Sequence, residues 1–174
     1  MKISHCLIFP LLLAHTVATA QQTCQTDNIP AFAPTSRYQQ INNGTVIDNE
    51  TGLMWKVCVE GTKGDKCQKG NALKLNWAQT LIHAQEFNQN KGFAGYSDWR
   101  LPNVRELSTL AEPQCTHPAI NLAIFPNTPA THVWSSSPYN FYIHYSWHVD
   151  FNIGAPNFDE RTLLKNVRLV RDVN

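Results

Sequence analysis

Histidines, a carboxylate and serines lie close together late in the sequence, and these residue types can support catalysis or metal binding. His144, His148 and Asp150 follow the serines of residues 135–137. A histidine beside a serine can act as a general base, and imidazole together with carboxylate can bind a metal ion. Residues 145–152 alternate between apolar and polar types. This pattern predicts a strand whose wet face carries the two histidines and Asp150.

No catalytic motif accompanies this group. The sequence contains no nucleophile elbow, HExxH motif, phosphate-binding loop or dinucleotide fingerprint. A solvated strand face is the simpler interpretation of the histidines, so we expect no enzyme activity, no catalytic residues, no metal site and no cofactor. Calcium is the ion for which further oxygen ligands are available, from Asn152, Asn157, Asp159 and Glu160.

A second group of residues suits the binding of anions. Four lysines occur within twelve residues, and Glu60 and Asp65 are the acids between Cys58 and the last of them. Such a patch could bind sulfate or phosphate groups of a glycan, and the alternative is a solvated loop, where lysines are common. The lysines are Lys63, Lys66, Lys69 and Lys74.

An aromatic segment suits stacking on sugars or docking onto a partner protein. The candidates for ligand contact are Tyr139, Asn140, Tyr142 and His144. Stacking would make the chain a glycan-binding or adhesion domain, and docking would make it a structural or protein-interaction module with an envelope or host surface protein as partner. The formal net charge of +1 does not favour nucleic acid. The sequence leaves the oligomeric state open.

The N-terminal residues have the pattern of a secretory signal peptide. Lys2 precedes an apolar run from Leu7 to Leu13, and the small residues of positions 18–20 precede Gln21. The apolar run is shorter than the ~20 residues that cross a bilayer, and no later stretch is long enough. We therefore expect residues 1–20 to be a signal peptide, and the mature chain to be secreted or periplasmic, in the bacterial cell envelope, without a membrane span.

The cysteines predict two disulfides. Cys6 lies in the predicted signal peptide, so four cysteines remain, an even number in an exported chain. Three pairings exist, but Cys58 and Cys67 flank a glycine- and lysine-rich segment that resembles a hairpin tip. We therefore pair Cys58 with Cys67 and Cys24 with Cys115. Zinc is not expected because the close cysteine pairs of zinc sites are absent.

The segments that must position these groups are short strands and two helices. Residues 21–37 predict an irregular N-terminal arm, and residues 45–57 predict a β-hairpin around a polar turn that ends in Gly52. Residues 112–131 predict a long loop, and strands are expected near 132–135, 145–152 and 166–171. Together with two helices, these segments predict one α+β domain over residues 38–174.

Each predicted helix begins with a capping-box spacing. Asn76 with Gln79 starts the first helix, which should end near Asn90, and Asn103 with Glu106 starts the second, which Pro113 stops. Apolar residues then recur at helical spacing on one face of each helix. We expect buried faces formed in the first helix by Trp77, Leu81 and Ala84, and in the second by Val104, Leu107, Leu110 and Ala111.

Motifs across the chain resemble the C-terminal domain family of the Legionella collagen-like adhesin. They are Thr-Gly-Leu-Met-Trp at 51–55, Gly-Tyr-Ser-Asp-Trp-Arg-Leu-Pro-Asn at 95–103, Phe-Pro-Asn-Thr-Pro at 125–129, Trp-Ser-Ser-Ser-Pro at 134–138 and Val-Arg-Leu-Val-Arg at 167–171. The resemblance covers roughly residues 38–172. It implies export, a C-type-lectin-like fold and, in the namesake adhesin, binding to sulfated glycans.

Within these motifs we expect a structural role for Trp55, Asp98, Trp99, Arg100 and Trp134. A buried tryptophan is a large apolar anchor, and the carboxylate and guanidinium beside it can bind backbone or each other. The implied fold also includes formylglycine-generating enzymes, which depend on active-site cysteines or copper. The cysteines of this sequence are expected in disulfides, so an enzyme of that kind is the less favoured alternative.

Overall fold

Short β-strands dominate this protein. The computed structural model describes residues 21–173, and within that range thirteen strands form four sheets beside only two α-helices. The expectation of an α+β, C-type-lectin-like fold with two helices and short, mostly antiparallel strands is therefore wrong. The sequence misled because the second helix is only five residues long, and because strands of two or three residues are too short to show a period.

The larger sheet has five strands in the order β11-β10-β9-β12-β7. Its pairs are antiparallel except for β12 with β9. The predicted strand of residues 145–152 is its second strand, with neighbours on both sides. The strands are β7 (Lys74–Leu75), β9 (His132–Pro138), β10 (Tyr145–Asp150), β11 (Ala155–Glu160) and β12 (Lys165–Asn166).

The second sheet has four strands in the order β13-β4-β3-β2. It confirms the predicted hairpin, because β3 and β4 pair with Val46 opposite Trp55. Its strands are β2 (Tyr38–Gln40), β3 (Thr45–Asp48), β4 (Leu53–Lys56) and β13 (Val170–Asp172). Two ribbons complete the strands: β1 (Thr23–Cys24) with β8 (Cys115–Thr116), and β5 (Thr62–Lys63) with β6 (Lys69–Gly70).

Both predicted capping boxes are present. Helix α1 spans Trp77–Gln89 and is capped by Asn76 and Asn90, and α2 spans Val104–Ser108 and is capped by Asn103. The predicted buried face of α1 is wrong in part, since Leu81 is 38% exposed while Thr80 and Ala84 are buried. The predicted face of the second helix is also wrong in part. Leu107 is buried and Val104 is half-buried, but Leu110 and Ala111, although buried, lie beyond the end of α2.

The core consists of two clusters of buried side chains. One contains Trp55 with Leu107 and Phe125, and the other contains Trp99 and Trp134. The long segment between α2 and β9 contributes Ile120, Ile124 and Phe125 to the first cluster. This loop is therefore anchored by apolar burial even though it has little regular structure.

The N-terminal arm is tied to the rest of the fold. The predicted disulfide Cys24–Cys115 is present and joins β1 to β8. The Glu112 carboxylate accepts hydrogen bonds from the backbone N–H groups of Phe32 and Ala33. The predicted signal peptide lies outside the described residues. Neither helix of residues 21–173 has the length and apolar character needed to cross a membrane.

Candidate functional site

A groove of about 600 Å³ lies beside the second sheet. The loop before β3, the start of the β5–β6 ribbon and the segment at residues 123–126 form its walls. Its lining is about half polar and half apolar, and the polar part consists of amides, hydroxyls, two lysines and one carboxylate. The polar side chains are Gln40, Asn42, Asn43, Thr45, Thr62, Lys56, Lys63 and Asp65, and Phe93 is the aromatic ring of the lining.

The ribbon wall is closed by the second predicted disulfide, Cys58–Cys67, which is present. The ribbon has only two residue pairs, and one of them sets Lys63 directly opposite Lys69. Directly opposite residues of a ribbon have neighbouring side chains. Lys66 lies at the turn, where its carbonyl accepts a hydrogen bond of 2.6 Å from the Asn127 side chain.

The ribbon carries three lysines and one acidic side chain, the exposed Asp65, so its net charge is positive. Lys63, Lys66 and Lys69 are exposed, and none forms an ion pair with a residue in 21–173. Glu60 points away from them, since it is buried and contacts Lys56 and His83. Burial alone would raise the pKa of Glu60, but the His83 hydrogen bond and the Lys56 charge hold it below its ordinary value.

The fourth lysine of the predicted patch lies elsewhere. Lys74 belongs to β7, where it pairs with Asn166 at the edge of the five-stranded sheet. The structure therefore places Lys63, Lys66 and Lys69 on one ribbon and leaves Lys74 in another sheet.

One end of the groove is shaped by Gly44 and Phe93. Gly44 has a φ of +83°, and a Cβ at this position would lie 2.7 Å from Cζ of Phe93. The same ring lies 4.7 Å from the Lys56 ammonium, which also contacts Phe87. Sequence reasoning missed this wall, although the Asn42-Asn43-Gly44 run is a turn signal that could have indicated it.

The aromatic candidates form a different surface, at the end of the five-stranded sheet. Tyr139 stacks on Phe158 with ring centroids 3.9 Å apart and meets the Trp147 ring edge-on. Phe141 and Tyr142 project beyond this base, and the backbone carbonyl of His144 accepts a hydrogen bond from Arg161. Asn140 is exposed in the same loop. None of these residues lines the groove.

The prediction that His144, His148 and Asp150 share a wet face is wrong. His148 is 2% exposed, and its ring contacts those of His132 and Trp134. The crossover from β11 to β12 covers this face, because Arg161 reaches Ser146 and Lys165 reaches His132. Burial, reinforced by the charges of Lys165 and His132, lowers the pKa of His148 to about 4.

The serines and carboxylates near these histidines serve the fold. The Ser135 hydroxyl donates to the Trp147 carbonyl, and the Ser137 hydroxyl accepts from the Val104 backbone. Asp159, one of the proposed calcium ligands, is paired with Lys165 at 2.7 Å. Within residues 21–173 no three histidine, cysteine or acidic side chains are grouped as a metal ion requires.

The Asp-Trp-Arg motif connects separate segments. Asp98 pairs with Arg171 of β13, and Arg100 binds Glu106 of α2 with two hydrogen bonds. Trp99 is buried between them, and its backbone carbonyl accepts a hydrogen bond from the Asn88 side chain. These contacts join both helices to the four-stranded sheet.

The ribbon, the connecting motif and all of the groove except Gln40, Asn42 and Asn43 fall within one region of known sequence similarity. No curated protein matches the chain. The sequence model of the Lcl C-terminal domain matches residues 44–171, more than half of the chain. The chain therefore belongs to the Lcl C-terminal domain family.

Proposed function

We propose that this domain binds glycans, with sulfated polysaccharide as the favoured class, through the groove and the lysines of the adjoining ribbon. Membership of the Lcl C-terminal domain family fits a non-catalytic domain. The two disulfides indicate an oxidising compartment outside the cytoplasm. A domain in that setting meets polysaccharides and surface proteins rather than cytoplasmic substrates.

The observation that carries the proposal is the pairing of Lys63 with Lys69 beside a groove whose polar lining consists largely of amides and hydroxyls. Amide and hydroxyl side chains provide both donors and acceptors for sugar hydroxyls. The two ammonium groups can contact a sulfate at the groove mouth without displacing an internal carboxylate. Because both lysines are exposed, their attraction for the anion is screened within about 8 Å at physiological salt. Strong retention therefore needs several copies side by side.

The test is retention on immobilised heparin. The Lys63→Gln/Lys69→Gln variant should elute at lower salt than the wild type, because it loses the paired ammonium groups. A Lys74→Gln/Lys91→Gln variant changes the net charge equally at two other exposed positions and should elute close to the wild type. Equal shifts in both variants would show nonspecific charge attraction and contradict the proposal.

A glycan array with and without chelator complements the column. The proposal expects chelator-independent signals from sulfated glycans and a loss of these signals in the Lys63→Gln/Lys69→Gln variant. If no glycan binds and a surface protein is captured instead, the domain is a protein-interaction module of the envelope. Signals that vanish with chelator would indicate calcium at the site.

A further inference from the structure

The loop between β9 and β10 carries three consecutive large apolar side chains in water. Phe141 is 83% exposed, Tyr142 59% and Ile143 75%. Single exposed apolar residues are common on protein surfaces, but a run of three at a loop tip is not. Their contact with solvent contributes nothing to folding. We refer to Phe141, Tyr142 and Ile143 as the apolar tip.

The apolar tip is held in place before any partner binds. The backbone N–H of Tyr139 donates to the Tyr145 carbonyl, and that of Tyr145 donates to the Tyr142 carbonyl. Beneath the tip, Tyr139 is stacked on Phe158 and supported by Trp147. Binding would therefore require little ordering of the loop, which lowers its entropic cost.

The chemistry of the tip favours a lipid surface over a sugar. A sugar platform needs an open ring face with polar groups around it, but both Phe158 and Tyr142 stack on the Tyr139 ring. The most exposed side chains are Phe141 and Ile143, of which the second is aliphatic. The Tyr142 ring of the tip lies next to that of Tyr145, with centroids 5.6 Å apart, and tyrosine is enriched at the level of lipid headgroups.

Charge and area agree with a lipid partner. The tip itself carries no charged side chain. The nearest charges are Glu160, which accepts a hydrogen bond from the Tyr145 hydroxyl, and Arg161, which is engaged with Tyr145, Ser146 and the Trp77 ring. The exposed parts of the three side chains amount to roughly 400 Å². Each partner in a stable protein complex buries about 800 Å², so the tip is too small for a second copy of the chain. Shallow insertion into a bilayer interface has no such requirement.

We propose that the apolar tip inserts into the interface of an uncharged phospholipid bilayer and holds the domain at that surface. The tip lies outside the groove, so this binding does not depend on glycan recognition. Insertion buries Phe141 and Ile143 among acyl chains and leaves Asn140 and His144 with the headgroups.

The experiment is cosedimentation of residues 21–174, the chain without its predicted signal peptide and with both disulfides formed, with phosphatidylcholine vesicles. The wild type should sediment with the vesicles. The Phe141→Ser/Ile143→Ser variant should bind the vesicles at least about tenfold more weakly. The matched control is Leu163→Ser/Leu164→Ser, which removes two other exposed apolar side chains and should bind like the wild type. Near-ultraviolet circular dichroism checks that each variant is folded.

A second measurement locates the contact. Tryptophan fluorescence of a Phe141→Trp variant should shift to the blue when vesicles are added, and that of a Leu164→Trp variant should not. Failure of the wild type to sediment, or equal binding by tip and control variants, would overturn the proposal. So would a concentration-dependent dimer that the tip variant abolishes, or loss of glycan retention in the tip variant with no effect on vesicles.

Discussion

His148 makes the stability of the five-stranded sheet depend on pH. Its pKa is lowered to about 4 in the folded chain, mainly by burial, and is about 6.5 in an unfolded chain. The unfolded state therefore takes up a proton at higher pH than the folded state does. As the pH falls from about 6.5 to about 4, the free energy of unfolding should decrease by about 3 kcal/mol.

Urea unfolding between pH 4 and pH 7 checks this expectation. In a His148→Phe variant the slope of the unfolding free energy against pH should flatten, because the titrating group is gone and its unpartnered Nδ1 is replaced by apolar surface. The charged groups around His148 are Lys165, His132, Asp159 and Asp150, and they stay. Exposed His144 provides the control, since His144→Gln should keep the wild-type slope. An unchanged slope in His148→Phe would contradict the prediction.

The Arg37 guanidinium pairs with two carboxylates that should contribute very differently to the stability of the fold. Asp48 is fully buried and accepts from Arg37 Nε at 2.7 Å, as well as from Thr51. Glu50 lies 3.4 Å from the same guanidinium with its side chain 64% exposed. Asp48→Asn should lower the free energy of unfolding by about 3–5 kcal/mol, because it leaves a buried cation without its partner.

Chemical denaturation of the two variants provides the comparison. Glu50→Gln should change the free energy of unfolding by less than about 0.5 kcal/mol, because exposed ion pairs contribute little. A similar decrease in the free energy of unfolding in both variants would contradict the prediction that the buried carboxylate contributes more than the exposed one.

At the scale of elements, the turn before β3 shapes the groove. Gly44→Ala should strain a backbone with positive φ and push the new Cβ against Phe93, so the groove wall must move. Gly52 has a φ of +68° with no atom near the missing Cβ. Gly52→Ala therefore carries the backbone strain alone, about 1 kcal/mol.

The two glycine variants separate strain from shape. Thermal unfolding should show a lower melting temperature in both variants, with the larger decrease in Gly44→Ala. Heparin retention should change in Gly44→Ala alone. If retention stays at the wild-type level in Gly44→Ala, Phe93 is not part of the binding wall.

Local signals explain which elements could be predicted. Each capping box is formed by two residues within one helical turn, so both helix starts could be predicted from the sequence. The pairs are Asn76 with Gln79 and Asn103 with Glu106. The exposure of Leu81 and the burial of His148 depend on which segments cross the sheet, and no local pattern records that. The cysteine spacing predicted the ribbon at Cys58–Cys67, but the groove beside it needs β3, the ribbon and residues 123–126 together.

At the scale of the whole molecule, the two disulfides should have separable effects. Cys24 and Cys115 are 91 positions apart in the sequence, and Cys58 and Cys67 are 9 positions apart. Loop-closure entropy then predicts that the free energy of unfolding falls by about 4.6 kcal/mol when Cys24 and Cys115 are changed to serine, and by about 2.6 kcal/mol when Cys58 and Cys67 are changed. The larger loss belongs to the bridge that lies away from the ribbon.

Heparin retention should show the opposite order. Cys58→Ser/Cys67→Ser loosens a ribbon of two residue pairs and should weaken retention, while Cys24→Ser/Cys115→Ser should retain heparin binding at temperatures where it is folded. Denaturant unfolding and heparin retention, measured on the same samples, show whether the two bridges rank in opposite order for stability and for binding. Weaker retention in the Cys24→Ser/Cys115→Ser variant alone would contradict the assignment of the ribbon as the binding wall.

The nesting of the disulfides also bears on how the chain acquires them. Cys58–Cys67 lies wholly inside the loop that Cys24–Cys115 closes. A chain that emerges N-terminus first presents Cys24, Cys58 and Cys67 to oxidants before Cys115 exists as a partner. If oxidation followed the order of emergence, Cys24 would pair with Cys58, and thiol–disulfide exchange would be needed to reach the native bridges. We therefore expect a disulfide isomerase to raise the yield of native protein when the reduced chain is oxidised.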